Sequence, residues 1–162
     1  MAGTALAVLA IFVVVSLFSR ASYLVLANGH TGVVLLRQRA AQGDKFSISY
    51  IHSVNKSPVA EIYQIRDGEI VLIALEFETF GAGMPGELEP GQSLIRLPGG
   101  GMRIEGFDRV IGELRYMIGH DADIAFSFEG RQTALGSLDA PGQPVRIAFE
   151  ERGFWQRFLP ER

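Results

Sequence analysis

The sequence predicts an all-β protein: an antiparallel β-sandwich or barrel of about ten short strands, preceded by one N-terminal hydrophobic helix. Three observations predict it. From Tyr23 onward apolar residues recur at alternate positions, the period of a strand. The chain's 19 glycines and 7 prolines interrupt that alternation at short intervals. Nothing between successive segments is long enough for the crossover helices that a parallel sheet requires. At 162 residues there is material for one domain of ordinary size. With 48% hydrophobic and 20% charged residues, the composition excludes a disordered polymer, a coiled coil and a collagen-like fibre. A net charge of −3 gives no basis for binding nucleic acid through its phosphates. The absence of cysteine excludes disulfides, thiolate metal sites and cysteine nucleophiles. No motif calls for a cofactor.

The first charged side chain is Arg20, and Ala2–Phe18 forms a 17-residue run without charge, at the short end of what crosses a bilayer. A buried core helix would keep a polar face, and this run has none. Two membrane readings compete: an uncleaved anchor, or a signal segment cut after Ala21 or Ala27. Residues 1–20 are therefore read as anchor or signal, 21–150 as the β domain, and 151–162 as an aromatic and basic tail. As an anchor, the run carries Ala2, Gly3, Ala5, Ala7 and Ala10, small residues that let a partner helix approach closely. Lone Arg20 on the domain side favours a cytoplasmic domain.

The strands follow in order. Tyr23–Ala27 and Val33–Gln38 flank Asn28-Gly-His-Thr-Gly32, whose residues tolerate positive φ. Lys45–His52 alternates, with Phe46, Ile48 and Tyr50 on one face and Ser47, Ser49 and Ile51 on the other. Val59–Arg66 and Glu69–Thr79 meet at Asp67-Gly68, a two-residue hairpin signal, and Glu129-Gly130 is a second. Met102–Glu105, Arg109–Ile118, Asp123–Phe128, Arg131–Leu135 and Val145–Phe149 complete the set. In the tail, Phe154, Trp155, Phe158 and Leu159 stand among Arg152, Arg157 and Arg162. Such a segment either docks on the domain or sits at a membrane interface.

Three constellations are candidates for function. In Tyr50–Glu61 a strand gives way to a polar turn and resumes, so that His52, Ser53, Asn55, Lys56 and Pro58 gather at a strand end. His52 and Ser53 are neighbours on a strand and point to opposite faces, which argues against a nucleophile and its base. Capping of the turn by these side chains is the structural alternative. The second constellation is residues 61–89, where Glu61, Asp67, Glu69, Glu76, Glu78, Glu87 and Glu89 face a single base, Arg66. His52 with Glu61, Glu76 or Glu78 forms a candidate set for a divalent cation or for acid–base work, against the plainer reading of a solvated strand face. The third is Phe80-Gly81-Ala-Gly83-Met84-Pro85-Gly86. It matches the spacing of a dinucleotide-binding turn, but Pro90 and Gly91 stand where the helix behind it should open. A contact loop running from Phe80 to Gly101 fits better. The histidines at 30, 52 and 120 show no metal-ligand spacing.

The combination of KFSISYIHSVNKSPVAEIY with EFETFGAGMP after a hairpin resembles DUF1850, a family of small bacterial and archaeal proteins. The resemblance runs from about Tyr23 to Phe149 and is sharpest over Tyr50–Glu61 and Phe80–Pro85. It implies a membrane-anchored accessory or assembly subunit of a TRAP solute transporter of the TAXI type. Residues 2–18 would lie in the cytoplasmic (inner) membrane as a single pass, and the β domain outside the cytoplasm would contact permease, receptor or both. That orientation opposes the vote of Arg20, and the family implication is followed. The residues expected at the contact are Tyr50, His52, Ser53, Asn55, Lys56, Pro58, Glu61, Phe80, Gly81, Gly83, Met84 and Pro85. The alternative is a small extracytoplasmic hydrolase or metal-dependent enzyme built on His52 with Glu61, Glu76 or Glu78, which requires at least three of these to converge in a pocket.

Overall fold

The computed structural model describes residues 20–54, 56–79, 87–119 and 124–153. Among these, eleven strands form two antiparallel sheets. The first strands in the chain are β1 (Arg20–Asn28), β2 (Val34–Arg39), β3 (Lys45–Ile51), β4 (Pro58–Arg66) and β5 (Glu69–Phe77). They are followed by β6 (Ser93–Arg96), β7 (Met102–Val110), β8 (Glu113–Met117), β9 (Ala125–Phe128), β10 (Arg131–Ala134) and β11 (Pro144–Gly153). A four-stranded sheet has the order β2-β1-β11-β8, and a seven-stranded sheet the order β10-β9-β3-β4-β5-β7-β6. One 3-10 turn, Leu135–Ser137, is the helical element among the described residues, and none of their helices is long and apolar enough to cross a membrane. The predicted helix over residues 2–18 lies outside the described residues.

Alternation determines which side chains meet between the sheets. Leu24, Leu26, Val145, Ile147 and Leu114 face inward from the four-stranded sheet, and Phe46, Ile48, Tyr63, Ile65, Ile70, Phe126 and Phe128 from the other. Leu24, Leu26, Ile48, Ile65, Phe126 and Ile147 are fully buried. Each such side chain contributes on the order of 1.5–3 kcal/mol by leaving water. Asp67-Gly68 and Glu129-Gly130 close their hairpins with positive φ at both positions (51° and 81°, 49° and 73°), the turn whose twist matches the flanking strands.

Besides shifts of one or two residues at strand ends, the structure differs from the sequence reading at several places, the first being that the expected strand Met102–Glu105 runs on to Val110. Strand β1 begins at Arg20 rather than Tyr23 because Arg20–Ser22 pair with Glu151–Gly153, and β11 accordingly extends past residue 150. The expected strand Arg109–Ile118 is broken at Ile111-Gly112, where the Ile111 N–H bonds to Ile70 O and the chain crosses from one sheet to the other. Within the expected contact loop, Ser93–Arg96 adds an edge strand to β7. Its approach is permitted by Gly106 (φ 89°), where a Cβ would stand 2.2 Å from Gly91 O. Finally, Ile73 is an extra residue in the β4–β5 pairing, and the bulge keeps Leu72 and Leu75 on the inner face.

The two ends of the sandwich are unlike. At one end lie Arg20, Gly153, residues 40–44 and the turns 67–68, 111–112 and 129–130. A cleft of about 610 Å³ there is lined by Ala21, Ser22, Asp44 and Glu129 together. At the other end lie the connections 29–33, 52–57, 97–101 and 135–143. Asn28 fastens two of them: its Nδ2 donates to Asp139 Oδ2 (2.7 Å) and Gln143 Oε1 (3.2 Å), while its Oδ1 accepts the His30 and Thr31 N–H groups.

Candidate functional site

The turn after β3 is closed by the His52 N–H on Ser57 O (2.9 Å) and the Lys56 N–H on His52 O (2.9 Å). Lys56 adopts φ 51° to complete it. His52 Nδ1 accepts the Val54 N–H at 3.3 Å, so the imidazole shapes the turn through one of its nitrogens. Closing the backbone on itself leaves apolar side chains outside: Val54 is 66% exposed and Ile51 46%. Ser53, Lys56 and Pro58 are exposed beside them.

This turn meets the segment that follows β5. Val59 pairs with Phe77, and Ser57 Oγ lies 3.3 Å from Thr79 Oγ1. The connection 97–101 joins them, because Met102 pairs with Phe77 and Gly101 packs on the Phe77 carbonyl. Glu78 lies past the strand, exposed. Two stretches about twenty residues apart in sequence, 57–59 and 77–79, thus come together at one end of the seven-stranded sheet. Asn55, Phe80, Gly81, Gly83, Met84, Pro85 and His120 lie outside the described residues.

Glu61 occupies a different environment from the turn. It sits mid-strand on the inner face, between Ile48 and Leu75 of the neighbouring strands. Val59, Phe77 and Ile104 form an apolar cluster on one side of it, and the main core lies on the other. Its Oε1 accepts the Tyr50 phenol (3.2 Å), and its Oε2 accepts those of Tyr63 (2.8 Å) and Tyr116. The Tyr63 and Tyr116 hydroxyls lie 3.1 Å apart. Tyr116 belongs to β8 of the opposite sheet, so the carboxylate pins the two sheets together. Burial first, and then the negative charge of Glu61, push the Tyr50 phenol up to about 12. Tyr63 is raised by the same causes, and Tyr116 by burial and then by Tyr63 and Glu61.

Glu76 projects from the opposite face. It pairs with Ala60, the neighbour of Glu61, and adjacent strand residues point to opposite sides. There it accepts Arg103 Nε at 2.8 Å, and Arg103 also bonds Glu105 (3.1 Å). The candidate carboxylates Glu61 and Glu76 therefore do not share a pocket, and Glu61 already holds three phenols. Among the described residues no group of three histidines, aspartates or glutamates is placed to hold a metal ion. The sequence reading singled out Tyr50 and Glu61, which the fold joins, and missed Tyr63 and Tyr116. Tyr63 was legible as the next residue on the face of Glu61; Tyr116, from the other sheet, was not.

Neither a curated protein nor a solved structure matches the chain. A family model, described as a domain of unknown function (DUF1850), matches residues 46–135, a narrower span than Tyr23–Phe149. That span holds β3 to β10 and all four residues of the phenol–carboxylate cluster, while β1, β2 and β11 fall outside it. Covering more than half of the chain, the match makes this protein a member of the DUF1850 family.

Proposed function

We propose that the chain is an accessory or assembly subunit of a TAXI-type TRAP solute transporter, anchored in the membrane by residues 2–18. In this reading its partner is engaged through the end of the sandwich formed by 51–57, 77–79 and 97–101. The carrying observation is the meeting of the turn 51–57 with residues 77–79 at one end, where Ile51 and Val54 stand exposed. Exposed apolar side chains held by a rigid sheet are what a protein contact requires. The transporter context itself rests on what the resemblance to DUF1850 implies.

The fold adds a direction. Arg20, from which the anchor segment departs, is at the end opposite the motif turns. The nine residues of β1 separate the two ends by about 26 Å at roughly 3.3 Å per residue. An anchored domain thus holds its contact surface away from the bilayer, which favours a partner outside the bilayer, such as the solute receptor, over the buried part of a permease. The test is mild-detergent purification of the full chain from its native membranes, comparing wild type with Val54→Asp. A TRAP receptor or permease recovered with the wild type and lost with Val54→Asp is the expected result. Recovery of the chain alone, or equal recovery with the variant, overturns the proposal.

A further inference from the structure

The cleft at the Arg20 end is used neither by the phenol–carboxylate cluster nor by the proposed contact. Its volume of about 610 Å³ lies in the range that holds a small molecule, roughly 300–1,000 Å³. One wall comes from the four-stranded sheet and the connection that follows β2, with Ser22, Gln38, Arg39 and Asp44. The other comes from the β9–β10 hairpin of the seven-stranded sheet, with Phe128, Glu129 and Arg131. Both walls are held by hydrogen bonds. Ser22 Oγ donates to Ala40 O (2.7 Å), the Gly43 N–H to Ile65 O (2.8 Å) and the Ala41 N–H to Asp44 Oδ2 (2.8 Å). Opposite them, Phe128 and Arg131 are strand partners across the Glu129-Gly130 turn. Ala21, Ala40 and Phe128 give the cleft its apolar lining.

Two observations point to an occupant. First, Gln38 pairs with Leu24, whose side chain belongs to the core, so Gln38 also points between the sheets. There its Oε1 is buried and accepts no hydrogen bond. A buried acceptor without a donor destabilises a fold, and a ligand that brings an N–H removes that cost. Second, the charges of the cleft are not spent on one another. Arg66, Arg103, Arg109, Arg115 and Arg146 all hold carboxylates, whereas Arg39 and Arg131 form no ion pair with a described residue. Glu129 likewise has no cation among the described residues, and Asp44 commits one carboxylate oxygen to the Ala41 N–H. Each wall thus offers one cation and one anion, Arg39 with Asp44 and Arg131 with Glu129.

We infer that this cleft binds a compact zwitterion, its anionic group on Arg39 and Arg131 and its ammonium toward Asp44, Glu129 and Gln38 Oε1. A lining with two charges of each sign repels a ligand of single sign as much as it attracts it, and it matches a ligand that carries both. Guanidinium forks hold carboxylate or phosphate oxygens through paired N–H donors. A half-turn of the Gln38 amide, whose two ends are alike in shape, brings Oε1 to the ammonium. The apolar lining favours an apolar remainder. Two sources carry this chemistry: a free apolar α-amino acid, and the ethanolamine headgroup of a phospholipid, which the reading of residues 2–18 as an anchor brings to this end.

The full chain in a non-ionic detergent is titrated calorimetrically with L-leucine and, separately, with glycerophosphoethanolamine. Binding of at least one is the expected result, and whichever binds more tightly identifies the source. Glycerophosphocholine and betaine, whose quaternary nitrogens carry no N–H, should bind about tenfold more weakly. Isocaproate and isoamylamine, which are L-leucine without its ammonium or its carboxylate, should be weakened at least as much. Arg131→Gln should weaken binding about tenfold. Gln38→Leu should weaken it similarly while the denaturation midpoint holds or rises, because the unmet acceptor is gone. An amide with a merely structural role would lower the midpoint and spare binding, which overturns the part given to Gln38. No heat with either probe, or binding unchanged by both substitutions, overturns the inference. Equal affinity for the singly charged analogues overturns the assignment of a zwitterion.

Discussion

The two ends of this sandwich solve different problems. At the end where Arg20 and Gly153 pair, connections are short. Two are two-residue turns with positive φ at both positions, and Ile65 and Ile70 are fully buried beside them. At the opposite end the connections are longer, Asn28 and Ser57 are buried polar residues, and Ile51 and Val54 stand in solvent. Each end keeps an exposed apolar side chain, Val110 at the first and Ile51 and Val54 at the second, and the second gathers its pair at one turn beside residues 77–79. The Glu61 cluster lies between them, holding the sheets in register where the core gives way to the smaller group of Val59, Phe77 and Ile104.

Substitutions should separate the two ends, beginning with the largest effect. Ile65→Ala removes a fully buried side chain at the closed end and should cost about 2–5 kcal/mol in denaturant unfolding. A cost below about 1 kcal/mol would mean that this end is not tightly packed. Glu61→Gln keeps the shape but replaces charge-assisted bonds to three phenols with neutral ones, at about 1–3 kcal/mol. Unchanged stability would show that the carboxylate is not the pin between the sheets. Gly68→Val, at φ 81°, should cost about 1–2 kcal/mol because a left-handed backbone disfavours side chains, with the strands otherwise intact by hydrogen exchange. Val54→Asp should leave stability within about 0.5 kcal/mol, since it changes an exposed turn residue. A larger loss would make the motif end part of the folding machinery.

The phenols supply a pH test of the middle region. Tyr50, Tyr63 and Tyr116 bind their protons more tightly folded than unfolded. Their contribution is complete below the ordinary tyrosine value of 10.0 and is lost as pH rises through the folded values, the first of them about 12. Stability should therefore hold steady up to about pH 10 and fall beyond it, and Tyr50→Phe should make that alkaline fall shallower. An identical alkaline profile for the variant would remove Tyr50 from the cluster.

Much of the fold was legible because local chemistry determines it. Asp67-Gly68 and Glu129-Gly130 announce hairpins, and KFSISYI divides into an apolar and a serine face that the structure keeps. Edge strand β6 was not legible, since all four of its residues are exposed and nothing alternates between inside and outside. The break at Ile111-Gly112 was hidden by an apolar neighbourhood and depends on a bond to Ile70, forty-one positions away. At the candidate site, alternation puts Val59, Glu61, Tyr63 and Ile65 on one face, so a carboxylate among core residues was readable. Its third phenol was not, because periodicity assigns faces within a strand and says nothing of which strand of the other sheet lies opposite. Likewise Glu61 and Glu76 look like partners in an acidic stretch, and only the register separates them.

The proposed contact places the partner at the end bearing Val54 and not at the end bearing Asp67. The direct measurement is photo-crosslinking in native membranes, with the photoreactive residue placed at position 54 in one full-length chain and at position 67 in another. The expected result is an adduct with a TRAP receptor or permease from position 54 and none from position 67. An adduct from position 67 alone, or equal adducts from both, would contradict it.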